Sequence, residues 1–259
     1  MHAPETIEHA LRLAHRGESP TVIARRLAIP RATVRDWCAG RVPGDAAVEA
    51  REPWRRVGFP VPSYCHLLGL YLGDGHITQE ARTARLRVFF DAAYPMLIAE
   101  AVNDLRAVRP GGRVRVARRL PTQCVVVEAR WTRWSALFPQ HGEGAKHGRR
   151  IVLHDWQRDL TTVHPKALVR GLLHSDGCRF VNRVRVRGRE YAYPSYQFTN
   201  RSEDIKAILC EHLDLLGIAW RRAGPRNIAI TRRDAVAQLD EFVGPKTGTR
   251  GADGAVLYV

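Results

Sequence analysis

Leu67-Leu68-Gly69-Leu70-Tyr71-Leu72-Gly73-Asp74-Gly75 is matched later in the chain by Val169-Arg170-Gly171-Leu172-Leu173-His174-Ser175-Asp176-Gly177. Aligned on their Asp-Gly ends, both carry a small residue one and five places before the aspartate: Gly73 and Gly69 in the first copy, Ser175 and Gly171 in the second. Small residues at i and i+4 share one helix face and let a partner helix approach closely. Glycine inside a helix costs about 1 kcal/mol relative to alanine, and packing of the two helices through Gly69, Gly73, Gly171 and Ser175 compensates for it. That packing sets Asp74 and Asp176 side by side at one end of the pair, with Gly75 and Gly177 where left-handed C-terminal caps are expected. Two acids at the negative ends of two helix dipoles, facing each other, gain nothing in stability. A divalent cation between them removes the conflict, and carboxylates with open oxygen positions suit Mg²⁺.

The paired stretches resemble the signature helices of the LAGLIDADG homing endonucleases, in the single-chain form that carries both copies, from about Pro60 to Arg250. Leu72 and His174 stand where the family often has an acid, at the sixth motif position. The eighth position, which the family uses for metal, is aspartate in both copies. The resemblance implies an α+β fold of two αββαββα-type halves, related by a pseudo-twofold axis and building saddle-shaped antiparallel sheets. It also implies sequence-specific binding of double-stranded DNA and Mg²⁺-dependent cleavage of both strands by a monomer acting as a pseudo-dimer. The implied metal set is Asp74 and Asp176 with the adjacent Gly73 and Ser175.

A second repeat sharpens the chemistry. Gly144-Ala145-Lys146-His147-Gly148-Arg149-Arg150 and Gly244-Pro245-Lys246-Thr247-Gly248-Thr249-Arg250 share the pattern Gly-x-Lys-x-Gly-x-Arg, and the chain has only four lysines. Lys146 follows Asp74 by 72 residues and Lys246 follows Asp176 by 70. The family places a lysine near the metal to offset charge or polarise the attacking water, and these two match that role by position. The residues alone also fit basic loops after a helix.

The formal charge is +15, from 41 basic and 26 acidic residues, which favours a polyanionic partner and salt-dependent affinity. Five scattered cysteines (Cys38, Cys65, Cys124, Cys178, Cys210) form no Cys-x-x-Cys pair, against a disulfide framework or structural zinc and for a reducing compartment. No apolar run approaches membrane length and no basic-then-apolar signal opens the chain, so a cytoplasmic location with no membrane partner is expected.

Residues 1–42 read as a separate unit of three short helices. Ile7, Ala10, Leu11 and Ala14 have helical spacing, Ser19-Pro20 restarts a helix, and Arg31 to Cys38 forms a third, closed by Gly40. The stretch Ile23 to Val34 resembles a helix-turn-helix core packed by Leu27, Ile29 and Val34, leaving Arg31, Thr33, Arg35 and Asp36 to face DNA. Three-helix units of this type also dock proteins. Residues 43–62, with four prolines from Pro43 on, read as a linker, and Ser63 as the N-cap of the first signature helix.

The remainder divides into half-domains at 63–150 and 151–250, with a tail at 251–259 that carries no signal. In the first half, strands are expected at Arg85–Phe90, Arg113–Val116 and Cys124–Glu128, with a helix from Tyr94 to Val108 and another around Trp131 to Phe138. Arg85, Arg87, Arg113 and Arg115 alternate with apolar residues, so one sheet face carries guanidinium groups suited to a DNA major groove. A half-exposed sheet with a charged outer face reads the same way. In the second half, strands at Arg183–Arg187, Tyr196–Thr199, Ala219–Arg222 and Asn227–Thr231 flank helices from Glu203 to Leu216, capped by Ser202, and from Arg233 to Phe242. Arg183, Arg185, Arg187, Gln197 and Arg222 complete the expected DNA-contacting set. The element order is the same in both halves, an internal duplication.

The hypothesis that follows is an endonuclease in which Asp74, Asp176, Lys146 and Lys246 carry catalysis. Two other readings stay open: a transcriptional regulator that kept the fold without cleavage, and an RNA-binding intron maturase. Intein splicing is disfavoured, since no Cys or Ser begins the chain and no His-Asn ends it.

Overall fold

The computed structural model describes residues 4–15, 17–39, 58–244 and 246. Two compact units emerge, Met1–Gly58 and Phe59–Val259. The first holds three helices, α1 (Pro4–His15), α2 (Pro20–Leu27) and α3 (Arg31–Cys38). Ser19 Oγ accepts from the Val22 amide, and Ala28 turns the chain with φ of 53° between α2 and α3. Ala10, Leu13, Ile23, Ala24, Ile29, Val34 and Trp37 form its core, with Leu11, Ala14 and Leu27 packed at the edge. Gly40, most of the expected linker (43–57) and the tail (251–259) lie outside the described residues, as do the side chain of Ile7 and the positions of Thr247 to Arg250.

The second unit opens with α4 (Val61–Asp74), then β1 (Gly75–Gln79), β2 (Ala84–Asp91), α5 (Pro95–Val108), β3 (Val114–Arg119), β4 (Cys124–Trp131) and α6 (Trp134–Leu137). A helix absent from the sequence reading, α7 (Asp155–Val163), leads into α8 (Pro165–Asp176). The second half then repeats the order with β5 (Gly177–Val186), β6 (Arg189–Thr199), α9 (Glu203–Leu215), β7 (Arg221–Arg222), β8 (Asn227–Ile230) and α10 (Arg233–Asp240). The sheets are antiparallel with identical topology, β1-β2-β4-β3 and β5-β6-β8-β7. The expected α+β duplication is therefore present. Among the described residues no helix is long and apolar enough to cross a membrane, and all five cysteines are free.

Several local expectations need correction. Ser63 lies inside α4, which begins at Val61 after Pro60 with no side-chain cap. Pro62 sits in its first turn, where a missing N–H costs nothing, so prolines read as linker belong to a helix start. Gly75 and Gly177 are extended (φ −90° and −95°), because each helix runs directly into a strand. They are glycine for lack of room: a Cβ would stand 2.4 Å from Tyr71 Cα and 2.5 Å from the Leu173 carbonyl oxygen. Trp131 ends β4, which leaves only Trp134–Leu137 for the helix expected there. The helix α7 was hidden because its inward face rests on little beyond Trp156 and Leu160, in an otherwise polar stretch. Gln157 anchors it, donating to the buried Tyr64 hydroxyl of α4 at 2.7 Å.

Candidate active site between the signature helices

The helices α4 and α8 cross at their glycines. A Cβ on Gly69 would meet the Leu168 carbonyl oxygen at 2.5 Å and the Leu172 nitrogen at 2.6 Å. One on Gly171 would meet the His66 carbonyl oxygen at 2.2 Å. Backbone touches backbone here, so no side chain fits. Near the helix ends a Cβ on Gly73 would fall 2.1 Å from Ser175 Oγ and 3.0 Å from Asp176 Oδ2. Gly73 thus leaves the space that the Ser175 side chain occupies, with the Asp176 carboxylate at its edge.

Around this end the halves interlock. Lys146 Nζ donates to the carbonyls of Tyr71 and Gly73, the latter at 2.9 Å. Lys246 Nζ donates to those of Ser175 and Gly177 at 3.3 and 2.9 Å. Each lysine is tied to the helix end of its own half, yet its charge acts most strongly on the aspartate of the other half. Two cavities express the same pairing. One of about 440 Å³ is lined by Asp74, Ser175 and Lys246. The other, of about 390 Å³, is lined by Asp176, Gly73 and Lys146.

The electrostatics follow from this crowding. Asp74 opens to solvent, but surrounding protein withdraws part of its hydration. That loss first, and the charge of Asp176 second, push its pKa up to about 6, against the pull of Lys246 and Lys146. Desolvation also raises Asp176, opposed by a hydrogen bond from Asn200 and by the lysines. Burial lowers both Lys146 and Lys246 to about 8, against the attraction of the aspartates.

The carbonyls of Gly73 and Ser175, expected beside the metal, accept from Lys146 and Lys246 respectively, and the carboxylates of Asp74 and Asp176 each line one cleft. Two residues of the site were not legible in the sequence. Asn200 Nδ2 donates to Asp176 Oδ2 at 2.6 Å, while Asn200 Oδ1 accepts from the Ser202 amide at 2.7 Å. His76 lines the cleft of Asp176, its pKa lowered by desolvation and then by Arg87, Lys146 and Arg149. An asparagine ending a strand just before the Ser202 cap was the available signal for the first. Nothing marked the second.

The expected DNA-contacting residues separate by register. In an antiparallel ladder, paired residues share a face. Arg85 and Arg87 oppose Arg130 and Glu128, and Arg115 also opposes Glu128. These lie on the sheet face opposite buried Leu86 and Val88. Arg113 precedes β3 and is exposed. Arg85 is paired with Glu80 and Glu128, and Arg87 donates to Thr78. The second sheet differs. Gln197 pairs with Cys178 on the outer face, whereas Arg183 and Arg185 share register with Arg179, which pairs with buried Tyr196. Arg222 pairs with buried Ile228 and binds Glu203 at 3.0 Å, also on the helix side. Arg187 occupies the hairpin turn with φ of 50°. The outer face of that hairpin instead carries Tyr191 and Tyr193, with stacked rings 6.2 Å apart. In the N-terminal unit Arg31 and Arg35 are exposed on α3 and Thr33 is half-buried; Asp36 lies 3.9 Å from Arg35.

Two glycine-crossed helices ending in paired aspartates, each feeding a sheet of the same strand order, decide the architecture. This duplicated architecture is the one that the resemblance to the LAGLIDADG homing endonucleases implies. No protein-family model and no curated protein matches the chain. Among solved structures, the homing endonuclease I-DmoI in complex with DNA and Mn matches with a TM-score of 0.48 and 10% identity, over 71% of this chain and 96% of that one. I-WcaI bound to its DNA recognition sequence matches with a TM-score of 0.45 and 12% identity, over 78% and 89%. Full-length DUF199/WhiA from Thermatoga maritima matches with a TM-score of 0.45 and 13% identity, over 73% of this chain and 58% of that one.

Proposed function

We propose that the chain is a divalent-cation-dependent DNA endonuclease that cuts both strands of a specific duplex as a monomeric pseudo-dimer. The observation that carries this reading is the pair of clefts, each combining one half's aspartate with the other half's lysine. A protein that only bound DNA has no use for two carboxylates, crowded until Asp74 titrates near 6, beside phosphate.

The residues fit a hard cation. Both side-chain donors are carboxylate oxygens, and at Asp74 burial and the charge of Asp176 outweigh the pull of Lys246 and Lys146. Asp74 and Asp176 would hold a divalent ion, which would supply Lewis-acid polarisation of the phosphate and activation of water there. Asn200 fixes the orientation of the Asp176 carboxylate through one oxygen. Lys146 and Lys246, held by two carbonyls each, place positive charge where a phosphorane gains negative charge. The outer-face arginines of the first sheet and the polar and aromatic residues of the second take up the duplex. The exposed arginines of α3 add contacts, as a helix-turn-helix does.

Cleavage of a randomised duplex library with Mg²⁺, run beside the Asp74→Asn/Asp176→Asn variant, tests the reading. Metal-dependent double-strand cuts absent from the variant are expected. Salt-sensitive binding by the wild-type protein with no cutting under any divalent ion rejects the nuclease in favour of a regulator. Preference for structured RNA over duplex DNA rejects it in favour of a maturase.

A further inference from the structure

A second cluster on the helix pair, adjoining the cleft of Asp74 through His174, has the donor set of a different metal. His66 on α4, His174 on α8 and Glu100 on α5 bring one ligand atom each within 4.8 Å of one another. Both histidines are buried.

The hydrogen bonds around the rings fix which nitrogens are free. His174 Nε2 lies 2.7 Å from the Val243 carbonyl oxygen, which can only accept, so the ring proton is on Nε2 and Nδ1 carries a lone pair. His66 Nδ1 lies 2.6 Å from Asp104 Oδ2, so in the neutral ring that donates to this carboxylate the lone pair is on Nε2. These two lone pairs face each other at 3.2 Å, with the rings edge to face. Glu100 is held through Oε1 by Arg170 at 2.7 Å, while Oε2 is buried, makes no hydrogen bond and lies 3.7 Å from His174 Nδ1. With both rings neutral, three acceptors converge on one point with no donor between them.

We propose that His66 Nε2, His174 Nδ1 and Glu100 Oε2 bind a Zn²⁺-class cation that ties the two halves together through α4, α5 and α8. Two ligands at about 2.0–2.1 Å in tetrahedral geometry stand roughly 3.3 Å apart, close to the observed 3.2 Å. The outer partners are those of a metal-binding histidine, with a carboxylate behind one ring and a carbonyl behind the other. Imidazole nitrogen selects zinc or cobalt over magnesium, so this centre and the all-oxygen aspartate pair differ in ion preference. A cavity of about 270 Å³ lined by His66, Asp104 and Arg170 adjoins the outer partners of the cluster.

The test uses full-length protein carrying Asp74→Asn and Asp176→Asn, so that the nuclease site contributes no ligands and failure of the nuclease reading leaves the result intact. Co²⁺ is titrated into metal-free protein while the visible spectrum and the thermal midpoint are followed. One equivalent of Co²⁺ with tetrahedral d–d bands, displaced by Zn²⁺ and accompanied by a raised midpoint, is expected. Glu100→Gln, on a partly exposed side chain, and His66→Gln should abolish the bands with the far-ultraviolet spectrum unchanged. Asp104→Asn should weaken Zn²⁺ by about 10–100-fold. Absence of the bands and of any midpoint shift overturns the proposal and leaves a proton shared between the two rings. Bands that persist in both Glu100→Gln and His66→Gln overturn it as well.

Discussion

Lys146 is hydrogen-bonded to the helix end of its own half, at Tyr71 and Gly73, while its charge acts chiefly on Asp176 of the other half. Lys246 stands in the mirrored relation to Asp74. Each cleft is therefore composite, and neither half carries a complete one.

The cross-pairing predicts which single substitutions act together. Lys146→Met and Asp176→Asn should impair the same strand cut, and Lys246→Met and Asp74→Asn the other, each by about 10²–10³-fold. Within a pair the losses should be less than additive. Nicking of a duplex labelled separately on each strand reads this directly; if Lys146→Met slows the same strand as Asp74→Asn, the cross-pairing is wrong.

A second prediction concerns pH. Asp74 has a folded pKa of about 6, above its ordinary 3.8. A raised folded pKa means that the group's contribution to stability is present below the unfolded value and is lost as pH rises through the folded one. Without divalent metal, Asp74→Asn should raise the melting temperature at pH 7.5, with the gain shrinking as pH falls from about 6 toward 3.8. Cation binding, which needs the ionised carboxylate, should weaken over the same interval. Equal melting curves at pH 7.5 contradict this account.

Gly69→Ala and Gly171→Ala push a methyl group into opposing backbone and should destabilise by about 1–3 kcal/mol or more. Gly148→Ala, where a Cβ meets nothing within 4 Å, is the control and should be near neutral. Urea midpoints at constant slope separate the two outcomes.

Register predicts unequal roles for the arginines. Arg115→Ala, on the outer face of the first sheet, should weaken duplex binding and lower the slope of log affinity against log salt by about one. Arg222→Ala, held by Glu203 on the helix side of the second sheet, should leave that slope unchanged. A matched loss for both means that the helix-side residue Arg222 also reaches DNA and contradicts the division by register.

The paired helices, the duplication and the clustering of Asp74, Asp176, Lys146 and Lys246 were legible in the chain, because a repeated local pattern constrains two copies at once, whereas β1 and the order of strands within each sheet were not. Close approach through Gly69 and Gly171 followed from the absence of side chains there. Other features needed the folded molecule. Which cleft each lysine serves depends on the crossing of two helices a hundred or so residues apart. The faces of Arg183 and Arg185 depend on which of two alternating registers the hairpin adopts, since a shift of one residue exchanges every side chain between faces. Asn200 reaches Asp176, and Glu100 reaches His174, across separate elements that no spacing rule connects. Sequence by itself determined the chemistry carried by each repeat, since residue type and local period are written in the chain. The tertiary structure alone decided the pairings between repeats, because they arise from packing at a distance.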